Sequence, residues 1–150
     1  MNKDAVQLFL TQTQDCAKLM LEHSAHIKQE LPKVDIPKDQ VSKAKKISAN
    51  LTSTSQDVTR AVADIEKLLA KSPEGSKEVG KRIKNIVAKM KIPIGEMYKL
   101  VQELQEASRV DKKHLSAFVL FIESAAKILR SFNLVLDTAG KVEEKVESKA

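Results

Sequence analysis

Three groups of residues have types that chemistry could use: the histidines, the single cysteine and a run of lysines. His23 and His26 stand three apart with Glu22 and Glu30 nearby, so one helix would carry half of a metal site. A di-iron bundle builds the other half from Glu-x-x-His pairs on two helices and carboxylates on two more. No Glu-x-x-His occurs in the chain, and His114 falls at the start of a different element. Neither a metal nor a cofactor is expected.

Cys16 lies among apolar positions with no positive cluster around it to stabilise a thiolate, so it reads as an inert buried thiol and not as a nucleophile. There is no Gly-x-Gly-x-x-Gly and no Walker loop. With no group in a catalytic role, a non-enzymatic protein is expected.

The lysines carry more information. Lys77, Lys81, Lys84 and Lys91 fall on one outward stripe of a predicted helix, with Arg82 and Lys89 alongside and Glu78 the one acid among them. Lys38, Lys43, Lys45 and Lys46 form a second group, within a net charge of +6. A solvated helix face explains such stripes in many proteins; where they bind, phosphates, acidic lipid headgroups or an acidic partner are the targets. Lys77, Lys81, Arg82, Lys84 and Lys91 are therefore the candidate anion or acidic-partner site. With a lone Tyr98, no Trp and only four arginines, sequence-specific nucleic-acid recognition is not expected.

These groups must be positioned by helices. Apolar residues make up 42% of the 150 residues and charged ones 31%, while aromatics are only 3%, a balance that favours an all-α chain of one domain. From residue 3 to 31, Val6, Phe9, Thr13, Cys16, Met20, His23 and Ile27 recur in steps of three and four, with Leu10, Ala17 and Leu31 beside them. Pro32 and Pro37 then interrupt the chain. A second helix is expected from Lys38 or Asp39 to about Lys71, on Val41, Ala44, Ser48, Leu51, Ser55, Val58, Val62, Ile65 and Leu69. Counting back along an antiparallel hairpin sets His23 near Ser48 and Cys16 near Ser55, a small, mildly polar layer where two helices approach closely.

Ser72-Pro73-Glu74 predicts the start of a third helix, with Val79, Ile83, Ile86, Met90, Met97, Leu100, Leu104 and Ala107 in register. Because the register survives Pro93, the stretch KMKIPIGEMYKL reads as a kink inside one helix. Its proline falls opposite Ser53, and Ile92 points outward. Asp111 is the expected cap of a fourth helix, with Val110 and Leu115 as a hydrophobic staple. That helix should bury Leu115, Phe118, Ile122, Ala125, Leu129, Phe132, Leu136 and Ala139, and end near Gly140.

The expected architecture is an antiparallel up-down-up-down four-helix bundle over residues 1–140, with long helices, followed by a charged, frayed tail over residues 141–150. Phe121, Ile128 and Val135 widen the apolar face of the fourth helix, while Leu120 and Leu134 project from it toward solvent. Leu120, Phe121, Leu134 and Ile92 are the candidate partner-binding apolar strip. The functional expectation is a protein-protein interaction module: an adaptor, scaffold or assembly subunit, with a protein partner or self-association. The alternatives are a peripheral anionic-lipid-binding bundle and non-specific nucleic-acid binding through the lysines. A lone thiol, an early Asp4 and no apolar run near 20 residues point to a cytoplasmic location.

Overall fold

The computed structural model describes residues 2–31, 36–71, 77–112 and 115–143, apart from the side chains of residues 116, 117, 120 and 143. They form four helices: α1 (Lys3–Glu30), α2 (Lys38–Lys71), α3 (Lys77–Val110) and α4 (Leu115–Glu143). The chain is an all-α four-helix bundle, with no strand among the described residues.

Local chemistry sets most of the boundaries. Asn2 caps α1, its side-chain oxygen accepting from the Ala5 amide at 3.1 Å. Leu31 closes that helix just before Pro32. At the start of α2 the Pro37 carbonyl accepts from the amides of Gln40 and Val41, both at 3.0 Å. The expected cap at Ser72-Pro73-Glu74 lies outside the described residues. α3 runs unbroken through Pro93, which is buried together with Ile94.

Two expectations about α4, a hydrophobic staple at its start and an end at Gly140, are corrected. The Asp111 amide still donates to the Ala107 carbonyl at 2.9 Å and closes the last turn of α3, while residues 113 and 114, whose amides its side chain would cap, lie outside the described residues. Val110 and Leu115 are 85% and 51% exposed, and no hydrophobic staple joins them. At the other end α4 continues past Gly140 to Glu143, because the following turn buries Val142 against the core. Residues 144–150 of the expected tail lie outside the described residues.

Each helix packs mainly on two neighbours, α1 and α3 each lying against both α2 and α4. Along α1 and α2, Ser24 meets Ser48 while Ala17 meets Ser55, so one helix descends as the other rises. Along α2 and α3, Lys43 meets Glu103 and Asn50 meets Glu96, again in opposite senses. Along α1 and α4, Gln12 meets Thr138 and His23 meets Phe121.

The expected polar layer between α1 and α2 is present, one residue along on α1. The Ser24 hydroxyl donates to the Ser48 carbonyl at 2.8 Å, and the Ser48 hydroxyl donates to the Ser24 carbonyl at 3.1 Å. Since each hydroxyl has one proton, Thr52 is left to donate to Ser24 Oγ at 2.6 Å. Only side chains as small as serine let a hydroxyl reach the backbone of the facing helix.

The packed face of α4 differs from the expected one. Phe121, Ala125, Ile128, Phe132, Val135, Thr138 and Val142 are buried, whereas Leu115 and Ile122 are exposed. Leu129, Leu136 and Ala139 are partly covered. The helix is turned toward α1, where Phe121 meets His23 and Thr138 donates to Gln12.

Candidate functional site

His23 is only 3% exposed and His26 is exposed, and both line one groove between α1 and α4 together with Glu22 and Glu123. Among the described residues no group of three or more His, Cys, Asp or Glu side chains is arranged to hold a metal. His114 lies outside the described residues. Burial pushes the Cys16 thiol up to about 11, against a smaller opposing effect of its hydrogen bond with Ser131. At neutral pH such a thiol carries almost no thiolate.

The basic residues of α3 divide between two sides of the bundle. Arg82 turns toward α2, pairing with Glu78 at 3.2 Å and lining a groove that also holds Asp57 and Asp64. Lys84 and Lys91 line a groove on the opposite side, against α4. Lys77 stands seven residues before Lys84, on the same line of the helix, while Lys81 is exposed between them. The five predicted residues therefore do not make one site, and the division follows from the helical phase of Arg82.

The predicted apolar strip is also divided. Phe121 is 0% exposed in the core, which removes it from any docking surface. The Leu120 side chain lies outside the described residues. Leu134 is 53% exposed on α4, and Ile92 is 68% exposed in a shallow groove between α2 and α3. Because α4 packs on α1 and α3, these last two do not share a face. Ser53 lines the groove beside Ile92 and Pro93, so the small residues opposite the proline leave an open depression of about 300 Å³.

A different set of exposed apolar residues appears instead. Leu115, Val119 and Ile122 follow one another at steps of four and three along α4. Leu115 and Ile122 continue at seven-residue intervals into Leu129 and Leu136, which are partly covered. Leu136 lines the α3–α4 groove, so this line of α4 runs along its α3 side. The signal was legible in the sequence as two adjacent apolar stripes on one helix; what it lacked was a reason to choose between them.

The fold and these surfaces define a four-helix bundle with a basic line on α3 and an apolar line on the adjoining flank of α4. No protein-family model, curated protein or solved structure matches the chain. No described helix is long and apolar enough to cross a membrane.

Proposed function

We propose that the protein is a non-enzymatic protein-interaction module, an adaptor, scaffold or assembly subunit working in the cytoplasm. The observation that carries this reading is the exposed run Leu115, Val119 and Ile122 on a helix whose adjoining face, with Phe121, Ile128 and Val135, already fills the core. Apolar side chains at helical spacing on the outside of a bundle suit contact with another helix. The reading replaces Phe121 by these three residues and keeps Leu134 and Ile92 as separate, smaller contacts.

The test is a Val119→Asp, Ile122→Asp double variant. It should keep its helical circular dichroism and cooperative melting, and lose the proteins that crosslink to the natural chain in its native cell. A variant that folds normally and retains every partner would sink the proposal. The lysines of α3 support a second reading, attachment to an anionic membrane surface. Sedimentation with phosphatidylserine vesicles at low and moderate salt distinguishes it. Non-specific nucleic-acid binding through the same lysines predicts a steep loss of affinity with salt.

A further inference from the structure

Arg82, Lys89, Glu96 and Glu103 stand seven residues apart, close to two turns, on one line of α3. The line reads basic, basic, acidic, acidic, and its sign changes at the level of Pro93. Turned end for end about that point it is its own complement: Arg82 falls opposite Glu103, and Lys89 opposite Glu96. Beside it runs a second line with the same centre, Asn85, Ile92 and Lys99. Reversed, this one sets asparagine opposite lysine and Ile92 opposite itself.

Both lines border the face that α3 shares with α2. Arg82 and Lys89 line one depression between these helices, Lys89 and Ile92 a second, and Glu96, Lys99 and Glu103 a third. Within the chain, Lys43 of α2 pairs with Glu103 at 2.9 Å and Asn50 reaches Glu96 at 3.5 Å. Arg82 pairs with Glu78 on its own helix at 3.2 Å. The side chains of Arg82 and Glu103 nevertheless stay 41% and 40% exposed, which leaves room for a further contact. Ile92, beside the depression of about 300 Å³, takes no part in this pairing.

From Arg82 to Glu103 the face is about 31 Å long at a rise of about 1.5 Å per residue, and two helices of about 10 Å diameter make it about 20 Å wide. About 600 Å² per chain lies at the lower edge of what a specific protein pair buries.

We propose that the chain forms a two-fold dimer through its α2–α3 face, with α3 lying antiparallel on α3 of a second copy and the axis at Ile92. Such a contact needs a self-complementary patch, which the reversing charge order supplies. The two Ile92 side chains meet beside Pro93 of each copy, while Arg82 and Lys89 reach Glu103 and Glu96 across the axis. On α2 the same axis brings Lys43 opposite Asp64. It also brings Lys46 toward Arg60, whose guanidinium is already held by Asp57 at 2.6 Å. The face is separate from the α4 line on which the interaction reading rests.

Analytical ultracentrifugation of the natural chain should show a monomer–dimer equilibrium in the micromolar range that weakens with salt. Ile92→Asp, at an exposed position, should keep the helical circular dichroism and raise the dissociation constant at least about tenfold. Lys89→Glu and Glu96→Lys should each weaken self-association, because each sets like charges against one another across the axis. Mixed in equal amounts, these two single variants should pair with each other, and the double variant should dimerise again.

A natural chain that stays monomeric at millimolar concentration would overturn the proposal. So would a dimer indifferent to Ile92→Asp, or single charge variants that do not pair when mixed. Ile92→Cys gives an independent check, since Cys16 is buried: mild oxidation should link two copies, while Leu134→Cys on α4 stays unlinked. Equal linking of both would remove the axis from Ile92. Because Val119→Asp, Ile122→Asp leaves this face untouched, that variant should dimerise as the natural chain does, so failure of the partner reading and failure of the dimer are read separately.

Discussion

His23 presents its ring to Phe121 edge to face, with centroids 6.0 Å apart and planes 82° apart, inside the seam between α1 and α4. Neither His23 nitrogen has a hydrogen-bond partner. Burial, reinforced by the charge of nearby His26, lowers its pKa to about 4. The groove above it is lined by Glu22, His26, Glu123, Lys127 and Arg130. A neutral imidazole packs there as an aromatic ring, and a protonated one would place an unpaired charge in the core.

This relationship makes stability depend on pH. The unfolded chain binds a proton at His23 near pH 6.5, the folded chain only near pH 4. The contribution is therefore fully present above about pH 6.5 and is lost as pH falls toward 4, amounting to about 3 kcal/mol. Urea melts of the natural chain and of His23→Leu should diverge across that window, with the variant losing less stability in acid. Parallel pH profiles would refute the assignment.

The reciprocal serine pair predicts a size-dependent cost. Ser48→Ala removes one donor and should destabilise by about 1 kcal/mol. Ser48→Leu forces apart helices that meet at 2.8 Å between a hydroxyl and a backbone carbonyl, and should cost about 3 kcal/mol or more. Chemical denaturation that ranked leucine as the milder change would show that the seam is not tightly packed.

The glycines predict the opposite sign. Gly80→Ala and Gly140→Ala enter open space in a helical backbone, so each should stabilise by about 0.5 to 1 kcal/mol. A rise in the thermal midpoint checks this, and a fall would reveal crowding at these positions.

Cys16 should resist alkylation in the native state. Its raised pKa and complete burial leave iodoacetamide no accessible thiolate, so labelling should appear only as the chain unfolds. Mass spectrometry along a urea series measures the transition. Rapid labelling without denaturant would place Cys16 at the surface.

Much of this fold is written locally. Pro32 and Pro37 end one helix and open the next, and every residue of the repeating α1 series from Val6 to Ile27 is buried. The serines of α2 mark a close helix approach because few other residues combine small volume with a hydroxyl. The exposure of Ile92 follows from the phase of α3, which Pro93 does not interrupt.

The surfaces were less legible because they depend on neighbours. Arg82 and Lys84 are two residues apart in a basic cluster, but that spacing turns one toward α2 and the other toward α4.

What the sequence by itself determined was the number of helices, most of their ends and the inward faces of α1, α2 and α3, because turn chemistry and periodicity act within one segment. The inward face of α4 was decided by tertiary structure. Phe121, Ile128 and Val135 repeat as regularly as Leu115, Ile122 and Leu129, so its own periodicity favours neither. Packing against α1 selects the first series, since it brings Phe121 onto His23 and Thr138 onto Gln12, and leaves the second along the outer edge of α3.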